Sequence, residues 1–159
     1  MRLVLRANAH RRVAVGCREV AASPDTPRRE RWQWQIQLLT DAEERPEPPP
    51  AVRRIAEALP GGATLEVSAD TGSVVPAVEF VDPSGAPTVH RGENELVVLI
   101  ASGGHVLVED RHLLADSDAM VLEGDDPMRV NLRRPDGADS QVAVVRLGAA
   151  GHGVLGWVP

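Results

Sequence analysis

The chain has 159 residues, of which 23 are acidic, 17 are lysine or arginine and one is a cysteine, and its formal net charge is −6. This length corresponds to one domain with a core of its own, and the acidic balance with scattered arginines argues against nucleic acid as a partner. The lone Cys17 excludes an internal disulfide framework and fits a reducing compartment.

The N-terminus predicts two strands and no targeting segment. Its apolar run contains Arg2 and Arg6 and is far too short for a signal peptide or a membrane span, so we expect a cytoplasmic protein without a membrane partner. Residues 2–5 are the first strand candidate and residues 13–20 the second. In the second strand Cys17 shares a face with Val13 and Val15, which predicts that Cys17 points inward.

Residues 32–38 carry the strongest alternation in the chain, after a turn predicted at residues 23–27. A period of two is typical of a strand with one buried face. Two tryptophans on that face add a large apolar area. The apolar positions are Trp32, Trp34, Ile36 and Leu38, and the polar ones are Gln33, Gln35 and Gln37.

Residues 41–59 give one clear prediction and one pair of alternatives. The prolines and charges of residues 41–50 predict an exposed connection that can lie over a barrel mouth. Residues 52–59 have apolar residues at helical spacing, which favours a short helix. Alignment of Gly61–Gly62 with Gly103–Gly104 instead matches residues 58–67 to residues 99–108, and this repeat favours a strand, a glycine turn and a second strand.

Five short apolar runs in residues 96–147 are separated by turns every eight to twelve positions, a spacing typical of an antiparallel barrel or sandwich. Residues 96–101 are continuously apolar, which predicts a strand buried on both faces. Ser102, Gly103 and Gly104 predict a tight hairpin turn into a returning strand at residues 105–109. Residues 74–81, 119–122, 128–132 and 142–147 complete the predicted strands.

The order of these elements resembles a cupin, in which a turn of the type Leu-x-x-Gly-Asp-Ala corresponds here to residues 114–119. Across most of the N-terminal half the chain resembles the HutD/Ves family of bicupins. The family has Arg-Glu-Ile/Val-Ala, then Trp-x-Trp-Arg, then a proline loop that ends in arginine before a glycine turn. The matching residues here are Arg18, Glu19, Val20 and Ala21, then Trp32 and Trp34 with Gln35 in place of the arginine, then Pro50, Arg53 and Arg54.

The resemblance implies an all-β, cupin-type antiparallel barrel or sandwich in one compact unit of residues 1–159. Two pseudo-repeated half-barrels are expected, an N-terminal cupin half at residues 1–90 and a C-terminal half at residues 91–147. Residues 148–159 form a tail, and its Val154, Leu155 and Trp157 are expected to dock on the barrel or on a second subunit of a homodimer.

Cupin metal sites use a His-x-His pair, and the chain has none, so we expect neither a metal nor another cofactor. Glu19 is the best candidate for a catalytic acid or base, because a carboxylate that faces a barrel interior has a raised pKa. The alternative is an ordinary ion pair between Glu19 and an arginine. His105 is the candidate catalytic histidine because it opens a strand, and a plain position at a turn is its alternative.

Three further residues are candidates for ligand binding. Arg54 can hold a carboxylate with two hydrogen bonds, and Arg18 precedes Glu19 on the same strand. Trp34 can form a flat pocket wall, although core packing is the more common role of a tryptophan on an alternating strand. Cys17 has no histidine near it in sequence and is expected to be a buried structural residue.

Three functions remain open at this point. The first is a metal-independent bicupin that binds a small anionic metabolite. The second is a small biosynthetic or catabolic enzyme, an isomerase, cyclase or lyase, that uses Glu19 and a histidine as acid and base. The third is an assembly protein with a filled barrel. An open pocket lined by polar groups would argue against this third function.

Overall fold

The computed structural model describes residues 3–23, 33–40, 46–135, 139–150 and 155. These residues form fourteen strands and two short 3-10 helices, with no α-helix among them. In chain order the elements are β1 (Leu3–Leu5), η1 (Ala7–Ala9), β2 (Arg11–Ala14), β3 (Cys17–Ala22), β4 (Trp34–Leu39), β5 (Val52–Ala58), β6 (Thr64–Asp70), β7 (Val74–Val81), η2 (Pro83–Gly85), β8 (Thr88–His90), β9 (Glu95–Ser102), β10 (Val106–Val108), β11 (His112–Leu114), β12 (Ala119–Leu122), β13 (Arg129–Arg133) and β14 (Gln141–Ala149).

The strands form three antiparallel sheets. The N-terminal sheet has the order β2-β3-β4-β6-β5, the central sheet has the order β1-β12-β9-β14-β7, and the C-terminal sheet has the order β11-β10-β13-β8. The predicted all-β antiparallel fold is therefore confirmed. Strands β7 and β8 pair with β14 and β13, and the predicted boundary between two cupin halves at residue 90 stays a prediction.

The central sheet is buried on both faces. On one face Val98 and Ile100 belong to a first core shared with the N-terminal sheet. On the other face Val97 and Leu99 belong to a second core shared with the C-terminal sheet. The continuously apolar run at residues 96–101 predicted this double burial, since a strand covered on both sides has no polar face.

Alternation along β4 decides which face of the N-terminal sheet becomes polar. Trp34, Ile36 and Leu38 lie in the first core. Successive side chains of a strand point to opposite faces, so Gln35 and Gln37 lie on the side of the sheet away from the central sheet. The period-two prediction is confirmed for the described part of this segment, and Trp32 lies outside the described residues.

Residues 52–58 form an edge strand and not a helix. β5 pairs with β6 over seven positions, from Val52 opposite Asp70 to Ala58 opposite Thr64. The repeat comparison therefore predicted this segment correctly, and the helical spacing was misleading. A half-exposed edge strand does not need strict alternation, because one flank and much of both faces contact solvent.

The predicted hairpin at residues 102–104 is wrong. β9 pairs with β12 and β14, whereas β10 pairs with β11 and β13. The chain thus crosses from the central sheet to the C-terminal sheet at Gly103 and Gly104, which both have positive φ. A glycine turn allows a sharp change of direction, but its sequence does not determine whether the next strand joins the same sheet.

The two glycine turns contact each other. The Gly61 amide donates a hydrogen bond to Ser102 Oγ at 3.0 Å, and the Gly103 amide donates to Asp116 Oδ1 at 2.7 Å. The β5–β6 hairpin is thereby joined to the turn that leaves β9. No helix in the described part of the chain is long and apolar enough to cross a membrane.

Candidate functional site

The face of the N-terminal sheet away from the first core carries polar side chains in cross-strand rows. Glu19 lies opposite Gln37, and Gln37 lies opposite Glu66. In the next row Ser68 on β6 lies between Gln35 on β4 and Arg54 on β5. We call this set the polar face; its residues are Glu19, Gln35, Gln37, Arg54, Glu66 and Ser68.

Several polar-face side chains are buried although they belong to neither of the two apolar cores. Gln37, Glu66 and Ser68 are each 4–6% exposed. Burial of polar groups costs free energy unless they are paired, so a sheet that buries three of them in adjacent rows is unusual for a purely structural surface. The polar face is therefore the candidate site.

Glu19 is held by two neighbours on the same face. Its carboxylate lies 3.2 Å from Nη2 of Arg11, and Gln35 Nε2 donates a hydrogen bond to Glu19 Oε2 at 2.7 Å. The Glu19 side chain is 14% exposed. The ion pair predicted as the alternative interpretation is thus present, and Glu19 also faces the site. Its catalytic role stays a prediction.

Arg54 is the cation of the site. Its Nε lies 3.6 Å from Oε1 of Glu66, beyond hydrogen-bond distance, and its Nη1 donates to the carbonyl of Pro46 at 2.8 Å. Nε is buried and has no hydrogen-bond partner among the described residues. The guanidinium is thus anchored at one nitrogen and paired only loosely with Glu66, which leaves donors for a ligand.

A cavity of about 160 Å³ opens beside Arg54. Residues of the predicted connection form one wall of it, and β5 and β6 form the other. Its lining residues are Pro48, Pro49, Ala51, Val52, Arg54, Ser68 and Asp70. A guanidinium and a hydroxyl at the end of a small, partly apolar cavity can bind an oxyanion and pack the rest of a small ligand.

No family model matches the sequence, and no curated protein matches it. Several solved structures match the fold, and two of them are the following. The conserved protein of unknown function PA5104 from Pseudomonas aeruginosa PAO1 superposes with a TM-score of 0.70 at 15% identity, over 94% of this chain and 100% of that chain. HutD from Pseudomonas fluorescens SBW25 superposes with a TM-score of 0.66 at 12% identity, over 95% of this chain and 100% of that chain. The chain has the HutD fold. The predicted resemblance to HutD/Ves proteins is thereby confirmed at the level of the fold, which is of the cupin type.

Within this HutD fold, two of the predicted site residues meet on one face and three lie elsewhere. Glu19 and Arg54 share the polar face, in neighbouring rows. Trp34 is fully buried in the first core, on the opposite side of the sheet, so it packs the core and does not wall the cavity. Within the described part of the chain its Nε1 has no hydrogen-bond partner. His105 is exposed in the turn before β10, in a different sheet.

Arg18 lies beside a second, smaller cavity of about 40 Å³, together with His10 and Thr40. Because Arg18 pairs with Leu38, which is in the first core, its side chain is on the face opposite to Glu19. Burial lowers the pKa of His10, and the Arg18 charge acts in the same direction, while the Leu5 carbonyl raises it. Arg18 thus belongs to the rim between the sheets and not to the polar face.

Cys17 is buried, as predicted. The single strand predicted at residues 13–20 is wrong, because β2 ends at Ala14 and β3 begins at Cys17, and Val13 and Val15 are exposed. Of the predicted tail contacts only Leu155 is among the described residues, and it packs against the first core. Val154 and Trp157 lie outside the described residues, as do positions 41–45 of the predicted connection.

Sequence reasoning did not identify four residues of the site region: Gln37, Glu66, Ser68 and Asp70. The alternation along β4 could have identified Gln37, because Trp34 faces the core and Gln37, three positions later, must point to the opposite face of the sheet. Glu66, Ser68 and Asp70 alternate along β6 with Leu65, Val67 and Ala69. Their role depends on the pairing of β6 with both β4 and β5, which is a long-range feature of the fold.

Proposed function

We propose that the protein binds a small molecule through an anionic group, most simply a carboxylate, at the Arg54 end of the polar face. Arg54 is the observation that carries this proposal. Within the described residues neither Nε nor Nη2 of Arg54 forms a hydrogen bond, while Nη1 is fixed by Pro46. Nε is buried against Glu66, so the anchored guanidinium offers Nη2 to a carboxylate as a charged hydrogen-bond donor in a fixed position.

The size of the cavity supports a small metabolite. Pockets for drug-sized ligands measure roughly 300–1,000 Å³, and the cavity here is about 160 Å³. Ser68 contributes a hydroxyl donor beside Arg54, and Pro48 and Pro49 offer apolar surface on the other side. A ligand of a few carbon atoms with one carboxylate fits this combination of charge, polarity and volume.

The C-terminal half of the fold supports the placement of the site in the N-terminal sheet. The second core, between the central and C-terminal sheets, consists of apolar side chains that include Leu99, Met120 and Leu132 at no exposure. Among the described residues, the space between these two sheets is thus filled by apolar side chains. We propose that this half is the structural part of the molecule and that the N-terminal sheet carries function.

Two features of the proposal rest on the sequence. Metal-independent binding follows from the missing His-x-His motif, and a homodimer stays a prediction. An enzyme with Glu19 as acid or base is the second candidate, because Glu19 lies on the same polar face as Arg54. A Glu19→Gln variant that still binds the ligand but loses turnover would establish that the protein is an enzyme and that Glu19 acts in catalysis.

Binding can be tested by thermal shift and isothermal titration calorimetry with small carboxylates, each compared with its uncharged primary amide. We expect saturable binding of at least one carboxylate to the wild type and a loss of at least tenfold in Arg54→Gln. Arg53→Gln is the matched control, because Arg53 is exposed and adjacent on β5 but faces the other side of the sheet. Equal binding of carboxylates and amides, or equal losses in both variants, would refute the proposal.

A further inference from the structure

Asp70 brings a negative charge to the same cavity. Its Oδ1 accepts a hydrogen bond from the Gly72 amide at 2.9 Å. Among the described residues Asp70 has no ion-pair partner, and Oδ2 accepts no hydrogen bond. The carboxylate is nevertheless half-buried and lines the cavity beside Ser68.

The positions of Arg54 and Asp70 place opposite charges near each other on the strand wall of one small cavity. Val52 pairs with Asp70, and Arg54 pairs with Ser68. Arg54 and Asp70 are therefore diagonal neighbours on one face of two adjacent strands, at a separation of about 7–8 Å between their backbones. They form no ion pair, because Arg54 turns to Glu66 and to the Pro46 carbonyl.

We infer that the ligand carries an ammonium group as well as a carboxylate, and that it is a small zwitterion of the α-amino-acid type. This inference rests on the proposed function. Arg54 and Ser68 receive the carboxylate, and Oδ2 of Asp70 accepts hydrogen bonds from the ammonium. The two charged groups of an α-amino acid are attached to one carbon, so one short molecule can contact both side chains.

The remaining walls indicate which amino acids fit. Pro48, Pro49, Ala51 and Val52 are apolar and offer no charge to a ligand side chain. A cavity of about 160 Å³ accommodates a small aliphatic side chain in addition to the two charged groups. A simple carboxylate in the same place would leave the Asp70 charge without a partner, which costs binding free energy in a half-buried site.

The test uses matched sets of three probes: an L-amino acid, its deaminated acid and its decarboxylated amine. For one set these are L-valine, 3-methylbutanoate and isobutylamine, and the other aliphatic amino acids provide further sets. Titration calorimetry should show that the best amino acid binds the wild type at least tenfold more tightly than its deaminated acid, which is the contribution expected of a hydrogen bond to a charged group. The amine should bind more weakly than the amino acid by a similar factor.

Asp70→Asn separates this inference from the proposed function. Asparagine keeps the Oδ1 acceptor for the Gly72 amide but removes the charge, so the variant should bind the amino acid no better than the deaminated acid. It should bind that acid at least as tightly as the wild type does, because the repulsion between two negative charges is gone. Asp125→Asn, at an exposed loop position, is the control. Equal affinity of the wild type for amino acids and deaminated acids would overturn the inference and leave the proposed function intact. Failure of every carboxylate would overturn both.

Discussion

The contact between the two glycine turns gives the sharpest stability prediction, because Gly61 has no room for a side chain. A Cβ atom added to Gly61 would lie 2.8 Å from Asp116 Oδ1, 3.1 Å from Ser102 Oγ and 3.3 Å from the Gly103 amide nitrogen. The first distance is below any ordinary contact, and the second atom accepts the hydrogen bond of the Gly61 amide. Gly61→Ala must therefore either displace the Asp116 carboxylate, which accepts the hydrogen bond of the Gly103 amide, or move the two turns apart.

The expected cost combines overpacking with the loss of one hydrogen bond, about 2 kcal/mol in total. For a domain of this size that corresponds to a fall in Tm of roughly 4–8 °C. Urea denaturation monitored by tryptophan fluorescence measures the free energy of unfolding directly.

Gly85→Ala provides the control, because a Cβ atom there meets nothing within 4 Å. The φ angle of neither Gly61 nor Gly85 lies in the left-handed region. The difference between the two variants therefore reports packing and not backbone strain. If Gly61→Ala unfolded at the same urea concentration as Gly85→Ala, the described contact between the turns would be wrong.

Two further predictions concern other buried charged groups. Arg91 is 4% exposed, and its guanidinium donates hydrogen bonds to the carbonyls of Glu95, Gly124 and Asp126. Arg91→Lys should therefore lower the free energy of unfolding, measured by urea denaturation, by about 2–3 kcal/mol. A loss below about 0.5 kcal/mol would show that these hydrogen bonds contribute little. Burial raises the pKa of Asp118, but hydrogen bonds to its carboxylate outweigh this effect, so the pKa is lowered overall. This stabilisation is present above the unfolded-state pKa near ~3.9 and is lost as the pH falls through the lower folded-state pKa. The stability difference between wild type and Asp118→Asn should therefore shrink between about pH 5 and pH 2, and a constant difference across that range would contradict the assignment.

Local patterns were sufficient to predict most strands. The continuous apolar run at residues 96–101 corresponds to β9, and the alternation after Trp34 corresponds to β4, because burial on two faces or on one face imposes these patterns directly. Residues 128–132 and 142–147 were predicted in the same way and correspond to β13 and β14.

Topology was not determined by these patterns. The turn at Gly103 has the sequence of a hairpin, yet it connects two sheets. Strand pairing between distant segments depends on the packing of whole sheets, and a turn sequence contains no information on it. The same limitation made β5 ambiguous, because an edge strand carries a weak pattern.

The site was predicted only in part for the same reason. Glu19 and Arg54 were identified separately, from the chemistry of their side chains, and the pairing of β3, β4, β6 and β5 brings them to one face. Asp70 was not identified, since a carboxylate at the end of a strand is common and only its position across from Val52 gives it significance. Trp34 was assigned to a pocket wall, but it lies in the core because it shares a strand face with Ile36 and Leu38.

Titration of the ¹⁵N-labelled protein with sodium acetate, followed by heteronuclear NMR, tests the central claim most directly. Acetate carries only the carboxylate, so it probes the Arg54 end of the polar face without any assumption about the rest of the ligand. We expect saturable shifts at Arg54 Nε–H and at the backbone amides of Ser68 and Asp70, with unchanged signals from the second core. Shifts that centre on the C-terminal sheet, or none at Arg54 up to saturating acetate, would contradict the account.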